Sequence, residues 1–266
     1  MKIAPTRILL RLYIAFVFLF IFAPIIASFV FSFNSDRFPT IPLGGFTTHW
    51  YEKAFFNAEL LPAATNSLIV ALSTALLSTF IGFTAAYTDY RYQFFGKTAF
   101  LILGLLPPTI PLIIMALAML GWLSNFHASG MVISIIIAHT VLCAPFAMAI
   151  IRLRLNQMDP NLEPAAHNLG ASEWVTMLNV ILPFTRPSMI AALCLTAAVS
   201  FDEFAVSWFV SGLNKTIPVV ILEILTGNID PQVNAIGSVV LLVSIALVVI
   251  AQSLVMGRAR STGTAS

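Results

Sequence analysis

Formal charges are sparse along this chain, and the apolar intervals between them have the length of bilayer crossings. No Asp, Glu, Lys or Arg occurs over Leu12–Ser35 or Leu60–Thr88, and about 20 apolar residues suffice for a helix to cross a hydrocarbon core. Thr98–Ile151 is also charge-free but too long for one helix, and Asn125–Gly130 supplies the break. Ser188–Val210 and Val233–Gly257 complete the pattern. The expectation is an all-α membrane protein, a single domain over 1–266. Its six transmembrane helices should lie near 12–35, 64–88, 98–122, 130–152, 188–210 and 233–257. Pro107, Pro108 and Pro111 must bend or unwind the third of these, and backbone groups freed there need protein or water as partners.

The connections follow from the same pattern. Residues 36–62 carry Pro39, Pro42, Gly44 and Gly45, which predicts an extramembrane loop with a short amphipathic helix at Thr48–Phe56. Residues 211–232 form a second loop around the apolar stretch Ile217–Leu225. The first run is longer than a signal-peptide core, and Ala23-Pro24-Ile25-Ile26-Ala27 is a poor cleavage site, so it reads as a retained helix.

The one long polar interruption is Leu155–Pro187. It predicts two short helices joined at a glycine: Asn161 as N-cap of the first, Gly170 as its stop, Ser172 as N-cap of the second, and Pro183 before the next span. Pro164 fits the first helix without cost if that helix starts near Leu162, because first-turn N–H groups have no intrahelical partner. Glu163 then sits near the positive end of the helix dipole. The two alanines and the glycine allow another surface to approach this knob closely.

Composition agrees with the pattern: 59% of residues are hydrophobic and only 9% charged, too few for the surface of a water-soluble domain. The placement of charge says more than the net +2. Lys2, Arg7, Arg11, Arg91, Lys97, Arg152, Arg154, Arg186, Arg258 and Arg260 fall on the side of the termini, the 89–97 turn and the knob, against Arg37, Lys53 and Lys215 on the other. By the positive-inside rule the knob and both termini are cytoplasmic. Cys143 and Cys194 lie within apolar runs and read as small buried hydrophobes. No G-x4-G-K-[ST] pattern occurs, so ATP hydrolysis, if used, belongs to another polypeptide. No spacing suits a metal or a nucleophile with its base, and no catalytic residue or cofactor is expected.

Asp202-Glu203 falls well inside the fifth span. Each charge at a bilayer centre costs roughly 2.5–3.5 kcal/mol on insertion scales, so the pair avoids lipid and marks either a path or an internally bonded break. His139, in the fourth span, reads as an interhelical hydrogen-bond partner. His49 and His127 fall in loops, and Glu223 lies in the loop helix before the last span.

Ala165-Ala166-His167-Asn168-Leu169-Gly170-Ala171-Ser172, followed by Val180-Ile181-Leu182-Pro183, resembles the cytoplasmic "EAA" loop of ABC importer permeases: E-A-A, three residues, G, nine residues, I-x-L-P. Aligned on Gly170, the family Glu falls on Pro164, with the acid one residue early at Glu163, and the family Ile falls on Val180. Ser200-Phe201-Asp202-Glu203-Phe204 with Phe209-Val210-Ser211-Gly212 and Asp230-Pro231-Gln232-Val233-Asn234-Ala235 resemble stretches of permeases in the spermidine/putrescine import group, especially its C-type permeases. So do Gly45-Phe46-Thr47-Thr48-His49-Trp50-Tyr51 and Asn66-Ser67-Leu68.

This resemblance implies a type I ABC importer permease fold in a bacterial inner membrane. It implies an ATPase-coupling loop over 155–187, carried by Glu163, Ala165, Ala166, Gly170, Ala171, Leu182 and Pro183. It also implies a translocation path lined by Asp202, Glu203, Phe201, Phe204 and Trp208, carboxylates and aromatic faces that suit a polycation. The implied partners are a cytoplasmic ATPase dimer that binds the ATP, a second permease, most simply a paralogue, and a periplasmic solute-binding protein; lipid surrounds the helices and no nucleic acid is involved. An opine or amino-acid derivative is the alternative cargo. An ion-coupled secondary carrier is the alternative from another class, though its usual inverted repeat is not visible.

Overall fold

The computed structural model describes residues 5–38, 40–227, 231–243 and 245. Lys2, Pro39, Asp230, Arg258, Arg260 and the later part of the expected last span, 246–257, lie outside the described residues, as does the side chain of Arg7. Within them the chain is helical and contains no strand, only an isolated bridge between Asn34 and Phe46. The helices are α1 (Pro5–Phe31), α2 (His49–Phe55), α3 (Leu60–Arg91), α4 (Lys97–Leu105), α5 (Leu112–Ser124), α6 (Val132–Leu155), α7 (Leu162–Asn168), α8 (Glu173–Thr176), α9 (Leu182–Asp202), α10 (Ala205–Val210), α11 (Ile217–Gly227) and α12 (Gln232–Val243). A 3-10 turn at Pro107–Thr109 separates α4 from α5, and a π turn at Met177–Ile181 joins α8 to α9.

Among the described residues, four stretches are long and apolar enough to cross a membrane: Ile8–Phe31, Leu60–Arg91, Val132–Leu155 and Glu173–Asp202. The expected third span instead divides. Pro107 and Pro108 start the 3-10 turn, and Pro111 stands just before α5, because proline cannot donate to the helical ladder. The fifth expected span is displaced. Its helix begins at the knob, takes in Pro183 and Pro187, and stops at Asp202 rather than continuing to Val210. Pro183 therefore lies inside the helix. At the π turn the Leu182 N–H reaches back to the Met177 carbonyl, a widened turn immediately before the first residue that has no N–H to give.

By chain contacts the molecule divides into two units. The first holds, of the described residues, those within 5–61 and 221–245. In it α1 has none of its membrane-length window buried, and Leu9 and Phe20 are 70% and 73% exposed. Such a helix persists only where lipid or another protein covers it. Beyond α1 the chain is tied down by polar contacts: Trp50 Nε1 donates to the Asn34 carbonyl at 2.7 Å, the Ser32 and Tyr51 hydroxyls meet at 2.6 Å, and Ser28 Oγ donates to Asn234 Oδ1 at 3.2 Å.

The second unit holds, of the described residues, 62–220. Two apolar clusters run through it. One joins Val70 of α3, Met115 and Leu123 of α5, Ile135 and Leu142 of α6 and Val206 of α10. The other, toward the knob, joins Phe83 and Ala86 of α3, Ala147 and Ile151 of α6, and Ile181 and Ala192. The α3–α6 crossing is very close: a Cβ at Gly82 would lie 2.6 Å from both Ala147 Cβ and the Met148 backbone nitrogen. Small residues permit this approach, and between lipid-embedded helices such packing replaces the hydrophobic effect as the source of association.

Candidate functional site

The polar interruption folds as a knob between α6 and α9. Its first helix, α7, starts at Leu162, so Pro164 is the third residue of the first turn. Asn161 does not cap it through its side chain, as the sequence pattern predicts. Its backbone is helical, and Asp159 Oδ1 instead accepts from the Asn161 N–H and Nδ2 at 2.9 and 3.0 Å. Asp159 is the better acceptor there because it turns the chain just before the helix.

At the far end Gly170 has φ +85. Its N–H donates to His167 O, and the N–H of Ala171 donates to Ala166 O, the paired bonds of a left-handed helix stop. Ser172 Oγ then accepts from the Val175 N–H at 3.3 Å and caps α8. Ala165 is exposed, Ala166 and Ala171 are half-buried, and Gly170 is open to solvent. Leu169 and Trp174 project at 90% and 70% exposure. The knob thus presents an apolar surface outward.

Glu163 does not join that surface. It is buried, and its Oε2 lies 3.4 Å from Arg91 Nε at the end of α3. Leu182 is half-buried and Pro183 exposed; both border an open apolar groove of about 470 Å³ with Thr79, Leu178, Arg186 and Met189.

The second candidate region is the helix break after Asp202. Glu203 adopts an extended conformation, φ −73 and ψ 118, and its side chain turns back over the start of α10. Glu203 Oε2 accepts from the Val206 and Ser207 N–H groups at 2.9 and 3.2 Å. The same oxygen lies 3.3 Å from His139 Nε2. His139 also bridges Ser200 Oγ at 2.8 Å through Nδ1 and Ser207 Oγ at 3.0 Å through Nε2. All four side chains are buried. A break inside a membrane-length helix frees N–H groups that lipid cannot serve, and Glu203 serves them.

Asp202, next in the chain, is exposed. Trp208 is 41% exposed, and its ring lies 5.8 Å from that of Phe204. Because the helix stops at Asp202, the unbroken face through Phe201, Phe204 and Trp208 that a continuous helix would give does not form. The structure brings Phe204 and Trp208 together and leaves Phe201, half-buried, on α9. Of the two adjacent acids, Asp202 is presented and Glu203 is held within the protein.

Sequence reasoning missed the role of residues 89–97. Asp89 is buried; it binds Arg152 of α6, Nε to Oδ2, at 2.5 Å, and Lys97 at the head of α4 at 3.5 Å. Arg91 meets Glu163 and, at 3.8 Å, the exposed Glu173 of α8. In the sequence these residues are only a short polar turn; apart from the Asp89–Lys97 contact within the turn, their partners Arg152, Glu163 and Glu173 are 63 or more positions away, and no local spacing announces them. His139 is the interhelical bridge that its place in a span predicts.

The family model described as "Binding-protein-dependent transport system inner membrane component" matches residues 78–260. A spermidine/putrescine transport system permease protein of Haemophilus influenzae is 34% identical over 237 residues, 89% of this chain and 92% of its own. A putrescine transport system permease protein of Escherichia coli is 28% identical over 232 residues, 84% of this chain and 82% of its own. Among solved structures, a chain of a bacterial ABC transporter involved in the import of the acidic polysaccharide alginate superposes with TM-score 0.69 at 17% identity, covering 97% of this chain and 98% of that one. A chain of the MetNI methionine ABC transporter superposes at 0.58 and 18% identity, covering 77% and 99%. These last two likenesses establish the fold. With a family model matching more than half of the chain and a relative above 30% identity over nearly all of it, this chain belongs to the family of inner-membrane components of binding-protein-dependent transport systems.

Proposed function

We propose that this chain is one permease subunit of an ATP-driven importer in a bacterial inner membrane, with six crossings and both termini cytoplasmic. It forms half of a translocation path for a small organic cation of the spermidine/putrescine type. The observation that carries the reading is the knob: two short helices locked at Gly170, continuous with α6 and α9, with Leu169 and Trp174 projecting from it. Exposed apolar side chains on a charged, water-facing segment mark an interaction surface. A cytoplasmic ATPase dimer docks there and binds the ATP, while this chain holds no cofactor and is not itself an enzyme. A periplasmic solute-binding protein delivers the cargo, and a second permease, a paralogue, supplies the other half of the path.

The substrate class is supported by relatives named for spermidine and putrescine transport and by the chemistry at the break. A polycation leaving water for a low-dielectric passage needs a carboxylate and aromatic faces in exchange. Asp202 with the Phe204–Trp208 pair offers both, while Glu203 holds the break in shape behind them.

The test is the complete transporter reconstituted in vesicles, with labelled spermidine, putrescine and an opine. Polyamine uptake driven by vanadate-sensitive ATP hydrolysis, lost in both Asp202→Asn and Gly170→Glu, is the expected result. Opine uptake that ignores Asp202→Asn keeps the importer and discards the polyamine. Transport driven by a proton or sodium gradient, or left intact by Gly170→Glu, overturns the reading.

A further inference from the structure

Glu163 is a buried carboxylate that a docking knob, taken as an apolar surface, does not require. It occupies the second position of α7 with only 6% of its surface exposed, against Arg91 Nε at 3.4 Å. Arg91 is the last residue of α3 and reaches both knob helices, Glu163 of α7 closely and Glu173 of α8 at 3.8 Å. The two contacts differ in weight. Glu173 is 81% exposed at its side chain, where water and salt leave an ion pair little strength. Glu163 is enclosed, and a buried acid left without its cation is strongly disfavoured. The Arg91–Glu163 contact therefore resists separation, and the Glu173 contact adds little.

The neighbouring Asp89 ties the same end of α3 to Arg152 of α6 and Lys97 of α4. Chain continuity already links the knob to α6 and α9. No such continuity links it to α3, whose residues Phe83 and Ala86 pack in the apolar cluster toward the knob.

We propose that Arg91, through its pair with the buried Glu163, is a positioning residue that carries movement of the docking knob into α3, so that three helices rather than two follow the ATPase. The proposal rests on the reading of the knob as the ATPase-docking element. The acid one residue early in the EAA-like stretch thereby serves an internal link.

The test uses the complete transporter. In Arg91→Gln the ATPase still co-purifies and basal hydrolysis persists, but uptake per ATP hydrolysed falls about tenfold. The exchanged pair Arg91→Glu with Glu163→Arg restores it to within about threefold, which a residue needed only for local shape would not do. A second measurement needs no variant of either residue: spin labels at Tyr92→Cys and Ser172→Cys, in a background without Cys143 and Cys194, report the α3-to-knob distance. That distance stays constant between nucleotide-free and ATP-bound states. Unchanged uptake per ATP in Arg91→Gln, no rescue by the exchange, or a knob that moves relative to α3 overturns the proposal. Loss of ATPase co-purification in Gly170→Glu tests the docking reading separately.

Discussion

At the scale of single residues, two positions make opposite demands. His139 has both ring nitrogens engaged, by Ser200 on one side and by Ser207 and Glu203 on the other. His139→Leu leaves two hydroxyls short of a partner and a buried carboxylate held only by backbone amides, a loss of about 2–4 kcal/mol. The unfolding temperature of the purified protein should drop by several degrees. Glu203→Gln keeps an acceptor oxygen for Val206 and Ser207 and should cost less; equal losses in the two variants would count against the arrangement. Gly170 makes a backbone demand instead. Nothing stands within 4 Å of a Cβ placed there, so Gly170→Ala is penalised only by its φ of +85, by about 1–2 kcal/mol. Hydrogen exchange should show faster local opening of α7 and the residues after it, with the rest of the chain unaffected.

Elements bring competing local and tertiary terms into the open. Replacing a mid-helix glycine by alanine ordinarily gains about 1 kcal/mol in helix propensity. Gly82→Ala should do the reverse, because its Cβ meets the α6 backbone at 2.6 Å and overpacking costs about 1–3 kcal/mol. A higher unfolding temperature in Gly82→Ala would mean that α3 and α6 do not cross this closely. The same competition explains α9 and α10. Apart from Asp202 and Glu203, Ser200 to Val210 is apolar enough to continue as one helix, yet Glu203 supplies two acceptor contacts to the α10 amides, and His139 secures the acid from another helix. Tertiary contacts outweigh the local preference to continue.

For the whole molecule, orientation is the quantity to measure. Ten cations against three favour one side for the knob, and a residue on each side decides it. In a cysteine-free background, Leu169→Cys on the knob should react with an impermeant maleimide only when the cytoplasmic face is open. Phe56→Cys, just after α2 and 83% exposed, should react in intact spheroplasts. Labelling of both from one side would contradict the six-crossing topology.

Much of this was legible in the sequence. Runs without charge located α1, α3 and α6, because the cost of a charge in lipid leaves no alternative reading at that length. Pro107, Pro108 and Pro111 marked an interrupted third segment, and Gly170 with Ser172 set the knob's turn and cap, since these are local backbone and capping effects within a few residues. That the adjacent Asp202 and Glu203 point in different directions was legible, and favoured Asp202 for the path; that Glu203 is enclosed by the protein was not. The arrival of His139 from α6, 64 residues earlier in the chain, makes Glu203 the enclosed acid, and no local rule contains that contact. Nor did the sequence show that Glu163 turns inward to Arg91 or that Asp89 gathers α4 and α6. Sequence by itself determined which stretches are long and apolar enough for lipid, where prolines and Gly170 interrupt a helix, and which stretch is too polar for lipid. Tertiary structure alone decided which polar groups face one another across helices, because those pairings depend on distances between segments that no local rule contains.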